Sequence, residues 1–201
     1  MVEELNGLRA ESAYLVAADL LLLEQVHALA EKALYAWGNV DVLINNASLF
    51  YSGSLGDIAE RDWDDLLGGN LKAPFFLSQA LAPSLRRRRG CIINITDIHA
   101  EKGLPGFPVY SIAKAGLVAM TKCLAKELAP DVRVNAVAPG AILWPDRGIS
   151  AEQKAEILQK VALQRCGEVD DIARAVGYLS DDAPYMTGQV LTVDGGRMLY
   201  T

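Results

Sequence analysis

The chain has 201 residues, of which 51% are hydrophobic and 22% charged, and its formal net charge is −6. That length suggests a single domain over residues 1–201, large enough to bury a core without disulfide or metal staples. The acidic balance argues against nucleic acid as a partner, since such proteins usually carry a basic face.

Cys91, Cys123 and Cys166 have neither zinc nor redox spacing. Cys91 and Cys123 lie in apolar stretches and are expected to be buried packing residues. A reducing, cytoplasmic setting fits them. The polar N-terminus MVEELNGLRAE does not read as a secretory leader, and no apolar run approaches membrane-span length. His27 and His99 are the two histidines, so no histidine metal site is expected.

Helix and strand patterns alternate along the chain. Residues 1–10 read as helix and AYLVA (13–17) as a short apolar strand. Residues 21–37 repeat apolar positions at helical spacing and stop at Gly38. DVLINN (41–46) is a buried strand. A long helix is expected from Asp62 to about Arg87, with Arg86–Arg89 opposing its dipole near the C-terminus. CIINIT (91–96) is a strand, followed by a Gly/Pro-rich loop to Pro108. A helix over about 109–129, a strand VRVNAVA (132–138), helices at 150–163 and 168–180 and a strand VLTVD (190–194) complete the pattern. Continuous apolar strands alternating with helices predict an α/β fold, a parallel sheet covered on both faces. Ligands of such sheets sit at the strand C-termini. Asp19, Asn45, Asn46, Thr96, Asp97, Pro139 and Gly140 fall there.

Tyr110 and Lys114 are four residues apart in VYSIAKAGLVAMTKCLAKELA and share a helix face. A lysine ammonium beside a phenol is expected to lower the tyrosine pKa from about 10, which suits a proton donor at neutral pH. Asp97 stands thirteen residues before Tyr110. Its carboxyl group can carry a proton as well as accept a hydrogen bond. Burial would raise its pKa and Lys114 would lower it, and the sequence leaves that balance open. Pro74 follows Asn70 by four residues and lacks the N–H that would serve the Asn70 carbonyl, so a helix kink is expected there.

NNASLFY (45–51), NLKAPFF (70–76), ITDIHAEKGLPGFPVYSIAKA (95–115), VRVNAVAPGAILWP (132–145) and TGQVLTVDGGR (187–197) together resemble the short-chain dehydrogenase/reductase family, and within it the pteridine reductase branch. The resemblance implies a Rossmann-like doubly wound parallel sheet. It starts after the family's opening strand, glycine-rich phosphate loop and helix, so it implies an N-terminally incomplete sheet with unpaired strand edges.

The implied activity is NADPH-dependent reduction of a dihydropteridine or dihydrofolate. The catalytic set is Asp97, Tyr110, Lys114 and Asn70, the last as a water-holding relay. Asp97 replaces the serine that most of the family has. The resemblance assigns Asp19, Asn45, Ala47, Ser48, Tyr110, Lys114, Pro139, Gly140 and Ile142 to the cofactor. Asp19 would meet the adenine amino group, although a helix cap explains it equally well. Gly140 would let the backbone approach the nicotinamide closely. Ser48, Phe50, Asp97 and Tyr110 would bind the substrate, with Phe50 stacked on the pterin. Leu49 departs from the serine common in the branch. Residues 143–163 resemble a mobile segment covering the substrate, and Asp194–Gly196 a structural turn. The family implies a homotetramer built on the helices at 62–87 and 109–129. Alternatives are another short-chain carbonyl reductase and a non-catalytic oligomerising scaffold.

Overall fold

The computed structural model describes residues 1–144 and 150–200. Its centre is a four-stranded, all-parallel sheet in the order β1-β2-β3-β4: Val42–Asn45, Cys91–Ile95, Arg133–Pro139 and Val190–Val193. Parallel neighbours need crossovers, and helices supply them. The described helices are α1 (Val2–Leu8), α2 (Leu23–Trp37), α3 (Glu60–Leu67), α4 (Ala73–Arg88), α5 (His99–Lys102), α6 (Pro108–Leu128), α7 (Ala151–Gln159) and α8 (Val169–Gly177).

The central strands β2 and β3 are buried on both faces, which is why they read as unbroken apolar runs. Ile92 and Val134 pack with Ala30, Leu81, Leu85, Ala125 and Leu128 against α2, α4 and α6. On the other face Cys91, Ile93 and Val137 pack with Ala175 and Leu179 against α8. That second layer stops short of β1. Val42 and Ile44 are in register with Cys91 and Ile93 but remain 38% and 47% exposed.

The expected strand at 13–17 does not form. The Asn6 side chain takes up the local backbone instead: it accepts from the Ser12 and Ala13 N–H groups and donates to the Ala13 carbonyl. Tyr14 and Leu15 are exposed, and β1 forms a sheet edge.

The helix expected from Asp62 is interrupted. Between α3 and α4 the chain makes a π-turn over Gly68–Lys72, where the Ala73 N–H donates to the Gly68 carbonyl. Pro74 explains the register change, because an α-turn at Asn70 would need the donor that proline lacks. The Arg86–Arg89 run ends α4 as expected, with Arg89 in the left-handed conformation. Cys91 is buried, but Cys123 is exposed. It lies on the face of α6 opposite Thr121 and Ala125, which point into the core.

Candidate active site

Four segments converge at the C-terminal rim of the sheet: those following β1, β2 and β3, and the first turn of α6. Pro108 opens α6 at a position where no N–H is needed. Tyr110 therefore sits in the first turn and Lys114 one turn later, both buried.

The Tyr110 hydroxyl donates to Asp97 Oδ2 at 2.8 Å. The other oxygen, Oδ1, accepts from the His99 backbone N–H at 2.8 Å. The carboxylate is thus held from both sides, by the loop that carries it and by the phenol. Lys114 Nζ donates to the Ile95 carbonyl at 2.9 Å and lies 5.7 Å from the centre of the Tyr110 ring.

The electrostatics correct one expectation. The Tyr110 pKa is raised, not lowered: burial is the largest cause, and the charge and hydrogen bond of Asp97 add to it, with the Ser48 hydroxyl working the other way. Lys114 lies one helical turn along, but burial and a carboxylate at hydrogen-bond distance outweigh it. Lys114 itself is pushed down to about 8 by burial, with the Asp97 charge opposing.

Asn70 sits in the π-turn and is buried. Its side chain fastens the loop after β1. Oδ1 accepts from the Ser48 hydroxyl at 2.7 Å and from the Leu49 N–H at 3.1 Å, while Nδ2 donates to the carbonyls of Leu49 and Leu66. Asn70 and Ser48 were expected in one site and are directly bonded. Phe50 follows that loop. Its ring stacks on Phe107 with centroids 4.6 Å apart and planes 7° apart, and meets Tyr110 edge-on at 4.8 Å.

Asp19, Ala47 and Ser48 line one cavity of about 240 Å³ with Ala18, Leu20, Leu21, Leu49 and Gly69. Asp19 also closes its own turn, since its Oδ1 accepts from the Leu21 N–H ahead of α2. Asn45 is placed differently. Its side chain points under the sheet, where Nδ2 donates to Asn94 Oδ1 at 2.8 Å, and Asn94 in turn donates to Thr121 Oγ1. Pro139 ends β3 and Gly140 extends its pairing with β4, the Gly140 N–H donating to the Val193 carbonyl. A Cβ on Gly140 would come within 2.6 Å of the Asp194 Cα, so the glycine is required by the neighbouring turn. Ile142 packs at Gly167, where an added Cβ would be 2.6 Å from its Cδ1. Of the expected covering segment 143–163, residues 145–149 lie outside the described residues and Ala151–Gln159 form α7.

Three contributors were not anticipated: the Ile95 carbonyl, the His99 N–H and Phe107. The first two are backbone groups, which residue types do not reveal. Phe107 had a signal, an aromatic residue in a Gly/Pro-rich loop directly before the helix that carries Tyr110. Among the described residues no cluster suits a metal ion, and no helix is long and apolar enough to cross a membrane.

The family profile described as enoyl-(acyl carrier protein) reductase matches residues 2–198. The 3-oxoacyl-(acyl-carrier-protein) reductase of Staphylococcus epidermidis is 39% identical over 203 residues, covering 99% of this chain and 83% of the relative. A blue fluorescent protein from a metagenomic library, solved in complex with NADPH, superposes with a TM-score of 0.83 at 37% identity, over 90% of this chain and 74% of that one. An apo SCOR enzyme from Clostridium thermocellum gives 0.86 at 30% identity, over 96% and 76%. The matched region spans nearly the whole chain, and the chain belongs to the short-chain dehydrogenase/reductase family of oxidoreductases.

Proposed function

We propose that this protein is an NADPH-dependent reductase whose substrate is a pteridine of the dihydropteridine or dihydrofolate type. The observation that carries the reading is the 2.8 Å hydrogen bond between Tyr110 and Asp97. Two proton-bearing groups share one proton path there, where a serine would offer only a hydroxyl. Reducing a ring C=N bond ends with a proton on nitrogen, and a carboxyl group can deliver it.

The residues present suit the two ends of the cofactor, and the glycine-rich phosphate loop of the family is not among them. The cavity bordered by Asp19, Ala47 and Ser48 suits the adenosine end. The buried Lys114 ammonium, anchored on the Ile95 carbonyl, suits the nicotinamide ribose. When bound, NADPH supplies the hydride. Tyr110 gives up its proton at the hydroxyl, and Lys114 stabilises the phenolate that forms. Asn70 holds the Ser48–Leu49 loop in place through four hydrogen bonds. Phe50 presents a flat apolar wall beside Tyr110.

A second reading is reduction of a 3-oxoacyl thioester, favoured by 39% identity to a reductase of that name. The two are separated by assaying NADPH oxidation with a dihydropteridine, a dihydrofolate and a 3-oxoacyl thioester, for wild type and Asp97→Ser. The pteridine reading expects pteridine turnover in the wild type and a larger loss on pteridine than on any carbonyl substrate in the variant. Equal losses on both classes would remove the pterin-specific role of Asp97. Thioester turnover without pteridine turnover would favour the second reading.

A further inference from the structure

We infer that Lys102 is a positioning residue for the Asp97–Tyr110 pair: it ties α5, the helical turn that grips the Asp97 carboxylate, to the turn that follows β4. This rests on the reductase reading above and is independent of the substrate class. α5 runs over only His99–Lys102. Its first residue holds the carboxylate, since the His99 N–H donates to Asp97 Oδ1, and the Ala100 N–H donates to the Asp97 carbonyl. The start of the turn is fixed to the sheet. Ile98 is buried, and its N–H donates to the Pro139 carbonyl at the end of β3. The other end has no such seat: α5 contains no buried residue, and Glu101, Lys102 and Gly103 are exposed. A single helical turn closes too few hydrogen bonds to hold its own shape, so its geometry depends on outside contacts.

Lys102 supplies such a contact. Its Nζ donates to the Arg197 carbonyl at 3.3 Å and to the Tyr200 carbonyl at 2.5 Å, 95 and 98 residues further along the chain. Those carbonyls belong to the short 3₁₀ turn Arg197–Leu199 and the residue after it. That turn is itself firmly held. The Asp194 carboxylate accepts from the Gly196 N–H at 2.8 Å and from the Met198 N–H at 2.6 Å. The Leu163 N–H donates to the Gly195 carbonyl, and the Asp194 Cα lies directly against Gly140. The lysine therefore joins a fixed turn beside the sheet to the unseated end of α5. Releasing that end lets α5 swing about Ile98, and the His99 N–H swings with it. The carboxylate it holds then shifts relative to the phenol on α6, whose 2.8 Å bond depends on where that carboxylate stands. Lys102 acts through Asp97 and not on the substrate.

The test compares Lys102→Met, which keeps the apolar stem and removes the ammonium, with Lys102→Arg, whose guanidinium can donate to both carbonyls. Each is made in the wild-type and the Asp97→Ser background and assayed on one substrate that both backgrounds turn over. Lys102→Met is expected to lower kcat about three- to thirtyfold, less than the full cost of misplacing a reacting group. KM should change less, NADPH affinity should hold, and the thermal midpoint should stay within about 4 °C of wild type. Lys102→Arg should recover most of the loss. In the Asp97→Ser background Lys102→Met should cost less than about twofold, because two residues that act as a unit are not additive. A support for the fold alone would lose NADPH binding and thermal stability in step with kcat, and that result overturns the inference. So does wild-type kcat in Lys102→Met, or an equal loss in both backgrounds. A loss that disappears in about 1 M salt marks a long-range charge effect in place of a tether and overturns it too. Absence of wild-type turnover on the dihydropteridine, the dihydrofolate and the 3-oxoacyl thioester overturns the reductase reading itself, and it is seen before any variant is compared.

Discussion

The state of Lys114 should set the alkaline limit of activity. The ammonium is buried, its pKa is pushed down to about 8, and among the described residues its hydrogen-bond partner is the Ile95 carbonyl. Tyr110 is pushed the other way and stays protonated over the same range. Raising the pH therefore removes the charge that stabilises a forming phenolate before it touches the proton donor. Assayed as kcat/KM for NADPH, which reports the free enzyme, activity should be level at neutral pH and fall above about pH 8, about tenfold for each further pH unit. The fall in kcat should come at higher pH, because bound phosphate charge favours the ammonium.

Stability should move in the opposite direction. A lysine with a depressed folded pKa loses its proton in the native state first, so between about 8 and its ordinary 10.5 the unfolded chain holds more protons. Stability then rises with pH from this group. The gap amounts to about 3 kcal/mol at about 1.4 kcal/mol per pH unit. Urea unfolding of wild type and Lys114→Met across this range isolates the contribution, and wild type should gain on the variant as pH rises. A flat kcat/KM profile to pH 9.5, or a stability difference independent of pH, would refute the assignment.

Two further outcomes follow from the same geometry. Tyr110→Phe should lower kcat by about 10²–10⁴-fold with NADPH affinity nearly intact; retention of more than about a tenth of wild-type kcat would contradict the donor role. Phe75 on α4 and Ile112 on α6 are 39% and 48% exposed, and Cys123 shares the outer surface of α6. These helices should form the contacts of a homotetramer, and a monodisperse monomer in light scattering at micromolar concentration would exclude that assembly.

The sheet was legible because β2 and β3 are unbroken apolar runs, a pattern that depends on burial alone. The stretch AYLVA carries the same local signal and is no strand. Strand formation needs a pairing neighbour, and here the Asn6 side chain occupies that backbone. The π-turn was foreshadowed by Pro74, since a missing donor is a property of the residue itself. The direction of the Tyr110 shift was not legible. Helical spacing places Lys114 near the phenol, but burial and the distance to Asp97 come from how the loop after β2 packs on α6. Asn45 illustrates the same limit. A residue at a strand end lies on the ligand rim by position, whereas the register of β1 on β2 turns its side chain toward Asn94.

Asp97 concentrates the chemical argument. With its carboxylate accepting from Tyr110, the phenol proton is directed at Asp97 and its release is disfavoured. A substrate must therefore break this bond or be served through it. Moving the proton from Tyr110 to Asp97 would leave a phenolate, for which Lys114 at 5.7 Å from the ring is the nearby cation, and a neutral carboxyl group able to donate. The pair holds one proton, so the group that delivers it to the substrate gives up the hydrogen bond. A serine at this position could offer a hydroxyl for orientation but could not take the proton or carry the charge that props up Lys114. Protonating a ring nitrogen draws on that capacity, whereas binding a carbonyl oxygen needs only the hydroxyl donors. That difference is why substitution at Asp97 is expected to separate the two substrate classes.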